Sequence, residues 1–179
     1  LGDDDLIRYP IGKFNPPETI SSRDVKIWLA DIEKLPSQVL VAINPLSDAQ
    51  LDVSYREGGW TIRQIVHHIA DSYLNSYIRM KLTLTESIPS VKGFDQTAWG
   101  DLADSKNAPV EASLLILEGL HTRWKHLLGA LTEAELQKEF FVPSINAKHN
   151  LQRGIGACRW HGLHHLRQIT SLIERSGWK

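Results

Sequence analysis

Residues 158–168 read CRWHGLHHLRQ and place His161, His164 and His165 within five positions. Successive side chains on an α-helix step by about 100°, so residues four apart share a face. His161 and His165 are related in this way, and their face also carries Cys158, Gln168 and Leu172. An H-x-x-x-H pair can offer two imidazoles to one divalent ion such as Zn²⁺ or Ni²⁺. His164 points about 60° away from His161 and about 100° from His165, which leaves it out of the pair. The chain has eight histidines, enough for one such pair to arise by chance. Gly162 also stands where the H-E-x-x-H metalloprotease signature carries its glutamate.

A second stretch, about a hundred residues earlier, reads VHHIAD and contains His67 and His68. His68 lies one turn from Ile65 and Ser72, beside an apolar stripe. Asn75 and Arg79 follow it at seven and eleven residues, each within about 20° of His68 around the axis. Such a line can wall a polar substrate pocket, although a solvated face is the alternative for Asn75 and Arg79. Arg79 would suit a carboxylate or phosphate, bound bidentately. Asp71 could orient a ligand or accept a proton as a catalytic group, or be a polar surface residue. Gln168 could order a bound water. His121, at helical spacing from Leu117 and Trp124, reads as a packed core histidine. Cys158 reads as a small buried hydrophobe that shares the ligand stripe. His126 and His149 read as surface residues.

The elements that must position these groups are helical. Residues 1–20, with three prolines and the acidic run Asp3 to Asp5, read as an extended arm, and residues 21–179 as one domain. From Val25 the apolar residues recur at helical spacing through Trp28, Ile32, Leu35, Val39 and Ile43, with Pro36 expected to kink or break the helix. Thr61-Ile-Arg-Gln64 fits a capping box and predicts a helix from Thr61 to about Glu86. Residues 87–108 look like a long loop of the kind that covers a site, with Asp95 and Trp99 as candidates for the cover. Pro109 suits the first turn of a third helix, with Leu114, Leu117, Leu120, Trp124, Leu127 and Leu131 as its apolar face. Thr132 opens another capping box and predicts a short helix to about Phe140. Asn150 can cap a last helix that stops at Gly177. No alternating strand pattern persuades. Four long amphipathic helices with one long crossover between the second and third give an all-α four-helix bundle.

GGWTIRQIVHHIADS, followed much later by HGLHHLRQI, resembles the DinB/YfiT-like superfamily of bacterial four-helix-bundle metalloproteins. The family pattern is a Trp-Thr/Ser helix start, a histidine eight residues after the Trp, and a C-terminal H-x-x-x-H-x-x-Q. Counted from Trp60, the first histidine falls on His68; the pair falls on His161 and His165, with Gln168 trailing. RYPIGKF and NSYIRMKL extend the likeness over nearly the whole chain. One departure is Gln64, where many members carry Glu.

The resemblance implies an up-down-down-up bundle with one divalent transition metal per chain on His68, His161 and His165. Zn²⁺ is favoured and Ni²⁺ is the alternative. It also implies a homodimer and two kinds of chemistry on a small-molecule substrate. One is metal-dependent hydrolysis. The other is S-transfer from a low-molecular-weight thiol such as bacillithiol or mycothiol. A metal-binding bundle without catalysis is a further alternative. Three neutral imidazoles leave a fourth position open, which is the layout of catalytic rather than structural zinc.

Composition removes several other classes. Lys plus Arg number 20 against 21 for Asp plus Glu, and no basic stripe stands out, so a nucleic-acid partner is not expected. No apolar run approaches a membrane span. One cysteine, Cys158, precludes an intrachain disulfide. No signal-peptide pattern is present, and the expected compartment is the cytoplasm.

Overall fold

The computed structural model describes residues 3–178. Four long helices carry the fold: α2 (Ser22–Ile43), α4 (Ile62–Thr85), α7 (Val110–Gly129) and α9 (Leu151–Ser176). Shorter pieces join them: α1 (Asp3–Arg8), α3 (Asp48–Leu51), α5 (Gln96–Gly100), α6 (Ala103–Asn107), α8 (Glu133–Leu136), and the strands β1 (Glu139–Val142) and β2 (Ala147–Asn150). No described helix is long and apolar enough to cross a membrane.

Contacts between the long helices give their directions. Along α2, Trp28 meets Gly156, Asp31 pairs with Arg159 at 2.7 Å and Leu35 meets Gly162, so α2 and α9 run parallel. Along α4, His67 reaches Ser113, Tyr73 stacks on His121 and Arg123 lies over Tyr77, so α4 and α7 are parallel as well. His68 faces His165 while Tyr73 donates to the Cys158 carbonyl, which makes α4 and α9 antiparallel. This is the up-down-down-up bundle, and the crossover between α4 and α7 must travel back along its length.

Capping places the helix starts. Thr61 Oγ1 accepts from the Gln64 amide while the Thr61 amide donates to Gln64 Oε1, which closes the expected box at α4. Thr132 does the same for α8, Asn150 caps α9 and Gly177 ends it with positive φ. The bundle interior holds Leu35, Val39, Ile65, Ile69, Leu117, Trp124, Ile155 and Ile169, all essentially without solvent contact.

Several expectations are corrected. Pro36 does not break α2, which continues to Ile43. Burial of Leu35 and Val39 on either side outweighs the one amide hydrogen bond that proline removes. The arm is not extended throughout, since Asp3–Arg8 is helical, while Leu1 and Gly2 lie outside the described residues. Residues 87–108 contain two one-turn helices, α5 and α6. The helix from Thr132 ends at Leu136, and the segment around Pro143 is a hairpin that pairs Phe140 with His149 and Val142 with Ala147.

Candidate metal centre

The first half of α4 and the middle of α9 face each other and bring His68, His161 and His165 together, with one ring nitrogen of each within 4.8 Å of the others. The Nε2 atoms of His68 and His161 are 3.0 Å apart. An ion bound tetrahedrally at about 2.0–2.1 Å holds its nitrogens roughly 3.3 Å apart, so the trio has the right spread. Metal binding also requires deprotonated imidazoles. Burial, reinforced by the neighbouring histidines, lowers His68 to about 2 and holds His161 and His165 well below 6.5. Ligand number, spacing and charge state all fit a divalent transition ion. No carboxylate or thiolate belongs to the cluster among the described residues.

The orientation of His165 can be read from its partners. Gln168 Nε2 donates to the Arg8 carbonyl at 3.0 Å, and because a carbonyl only accepts, this fixes which way the amide points. Gln168 Oε1 is therefore the atom 2.8 Å from His165 Nδ1, and that nitrogen must carry the proton. Nε2 of His165 is left as the metal-binding nitrogen. Gln168 holds a ligand in place rather than presenting a water to it.

His164 is outside the cluster, as expected, but it is not idle. Its Nε2 accepts from Gln168 Nε2 at 3.0 Å and its ring stacks on Trp160 with centroids 4.8 Å apart. Tyr9 of the arm packs on it as well.

Two cavities open on members of the trio. One, of about 420 Å³, is lined by Arg8, Tyr9, Trp60, Thr97, His161 and His165. The other, of about 340 Å³, runs between α4 and α9 past Ser72, Asn75, Arg79, Cys158 and His161. A larger groove of about 740 Å³ lies between α2 and α7 and contains none of the three ligands.

The structure brings only some of the sequence candidates to this site. Asn75 and Arg79 line the second cavity. Asn75 Nδ2 donates to the Asp71 carbonyl, leaving its oxygen toward other partners. Asp71 does not join the histidines: it falls on the side of His67, where burial and the Asp104 carboxylate raise its pKa to about 6. His67 itself turns to Ser113 Oγ at 2.7 Å and the Ala108 carbonyl at 3.1 Å. His121 is a core histidine as expected, with Nδ1 on the Leu117 carbonyl at 2.7 Å. Cys158 is buried, its thiol pKa pushed up by desolvation. His126 is exposed, and His149 is half-buried against Phe140.

The cover differs from the expectation in its residues. Phe94 faces His68 with centroids 6.2 Å apart, and Trp99 packs behind Phe94 at 4.5 Å. Asp95 caps α5 through Thr97 and Ala98 instead of pointing into the site. Trp60 packs on His68 at 4.6 Å. Gln64 donates to the Gly100 carbonyl at 2.8 Å and so pins α5 beside the site. Arg8 and Tyr9 open the RYPIGKF stretch that carries part of the family resemblance, whereas Phe94 and Thr97 sit in a segment with no periodic pattern. Gly162 has a simple explanation: a Cβ there would strike Leu35 and Tyr73 in the core, so a glutamate has no room.

Comparison with known proteins agrees with this geometry. The DinB superfamily model matches residues 31–169. "Putative metal-dependent hydrolase YfiT" of Bacillus subtilis (strain 168) is 43% identical over 172 residues, covering 96% of this chain and 97% of that protein. A protein of the same descriptive name from Geobacillus thermodenitrificans (strain NG80-2) is 44% identical over 174 residues, covering 97% and 98%. The solved structure of Bacillus subtilis YfiT, described as a probable metal-dependent hydrolase with an unusual four-helix bundle topology, superposes with a TM-score of 0.95. It has 42% identity and covers 97% of this chain and 99% of that one. Sequence and overall fold agree over nearly the whole length, and the chain belongs to the DinB superfamily.

Proposed function

We propose that this protein is a metal-dependent hydrolase of a small molecule, with His68, His161 and His165 holding one divalent transition ion, Zn²⁺ favoured and Ni²⁺ the alternative. The observation that carries this reading is the cluster of three neutral imidazoles, of which His161 lines both adjoining cavities and His165 one. Such an ion supplies Lewis acidity, making water a competent nucleophile near neutral pH and polarising a carbonyl. The protein's own part is positional. Gln168 fixes the His165 tautomer, Trp60 and Phe94 keep bulk water from His68, and α5 closes one side. Water exclusion strengthens each electrostatic interaction made there.

A second reading, thiol S-transfer, is favoured by one specific feature. Two adjoining cavities share His161, which gives each partner of a two-substrate reaction its own space. In that case a low-molecular-weight thiol would occupy one cavity and its acceptor the other.

Metal analysis of the purified protein tests the site. Wild type reloaded with Zn²⁺ should hold about one equivalent, and His68→Ala and His161→Ala should lose it while keeping their helical circular dichroism. Retention of metal by both variants sinks the assignment. Ester and amide panels, run with and without added thiol, then separate the chemistries. Turnover only with thiol present would replace the hydrolase reading by the second one.

A further inference from the structure

We infer that the cavity between α4 and α9 receives the carboxylate end of the substrate, with Arg79 as its anchor. The inference rests on the proposed metal centre, since it takes His161 as the end of the cavity where the reaction occurs. Ser72 to Arg79 on α4 and His161 to Gly154 on α9 each span seven residues, or about 10 Å of helix. The two helices are antiparallel, so the cavity runs from His161 at one end to Arg79 at the other.

Three observations on Arg79 point the same way. Its side chain makes no hydrogen bond or ion pair with any described residue; its one close partner is the Phe140 ring, 5.6 Å from the guanidinium carbon. Its Nε is fully buried and unpaired. No aspartate or glutamate is among the residues lining either cavity at the histidines. A guanidinium in this setting has its positive charge unneutralised, with its position braced by an aromatic face and its fork left for a planar anion. Its field is felt nearby: it opposes the rise that burial imposes on the Cys158 thiol and adds to the lowering of His149 by burial and Arg153.

One positive charge matches a singly charged carboxylate rather than a phosphate dianion. The neighbouring Asn75 and Ser76 add neutral polar groups, and Arg79 is the one cation among the residues lining the cavity, with Arg153 stacked behind Phe14. The substrate class is thus a small carboxylic acid with its reacting group and its carboxylate separated by about 10 Å, two helical turns.

Calorimetric titration of the Zn²⁺-loaded protein with suberic acid monohydroxamate, its methyl ester and its phosphonate analogue tests this. The hydroxamate addresses the metal and the far end addresses Arg79. The acid should bind at least about tenfold more tightly than the ester. Arg79→Gln should abolish that preference, leaving ester affinity and zinc content unchanged, and Arg79→Lys should restore part of it. Equal affinity of acid and ester on wild type overturns the inference without need of any variant. So does a preference that survives Arg79→Gln, and a phosphonate that binds more tightly than the acid overturns the choice of carboxylate. Failure of wild type to retain zinc removes the metal centre and this inference together, whereas zinc retained with no acid preference removes the inference alone.

Discussion

Gln168 ties His165 to the N-terminal arm: its oxygen accepts from the imidazole at 2.8 Å while its nitrogen donates to the Arg8 carbonyl at 3.0 Å. One side-chain amide therefore orients a metal ligand and docks residues that precede it by 160 positions.

Gln168→Ala removes both bonds and leaves His165 free to rotate and change tautomer. Zn²⁺ affinity, measured by competition with a chromophoric chelator, should fall about 10–100-fold. Gln168→Glu keeps the acceptor for His165 but not the donor for Arg8. It should retain metal while the arm becomes sensitive to limited proteolysis. Unchanged affinity in the alanine variant would show that Gln168 does not position the ligand.

His121 should make stability depend on pH. Burial lowers its pKa to about 4, whereas the unfolded chain titrates near 6.5. Between those values the unfolded state binds the extra proton, so stability is complete above about 6.5 and is lost as pH falls toward 4. The slope is about 1.4 kcal/mol per pH unit. In urea titrations between pH 7 and pH 5, His121→Leu should lose stability less steeply than wild type by about that amount. Parallel slopes would contradict the assignment.

Gln64→Glu should loosen the cover. The carboxylate can still cap α4 at Thr61, but it sets an acceptor against the Gly100 carbonyl, which Gln64 now reaches at 2.8 Å. The expected cost is about 1–3 kcal/mol. Hydrogen exchange should quicken selectively in α5, with α4 still protected. Uniform acceleration through the bundle would mean that Gln64 supports the fold as a whole rather than this contact.

Gly162→Ala should destabilise the bundle by about 1–3 kcal/mol, because the new methyl meets Leu35 and Tyr73 where α2, α4 and α9 converge. Thermal unfolding in the presence of a chelator isolates this packing effect from metal binding. A melting point equal to wild type would show that the three helices separate easily there.

The parts of this protein that were legible in its sequence are those governed by a fixed period. The capping boxes at Thr61 and Thr132 and the apolar repeats of α2, α4, α7 and α9 give local instructions that packing reinforces. His68, His161 and His165 were readable because each sits at a set angular position on a long helix. The same angular steps put Asp71 with His67, a consequence that depends on α6 and α7 lying on that side. The helices α5 and α6 have five residues each, too few to display a period. The hairpin buries only Phe140, so its strands show no alternation, and its turn relies on Asn146 with φ of 48°. Phe94 reaches the histidines through such an aperiodic segment, which is why no period in its local sequence announces it.

His68 and His161 lie 93 residues apart in the chain. Closing a loop of that length costs the flexible chain about 4 kcal/mol in entropy. An ion shared by these two residues would serve as a removable cross-link between α4 and α9, with everything from α5 to α8 enclosed in the loop. Among the four long helices it would stitch only that pair, leaving α2 and α7 held by side-chain packing and by contacts such as Asp31–Arg159 and His67–Ser113. Chelation should therefore slow refolding as well as lower stability, because α4 and α9 must then find each other without a bridge.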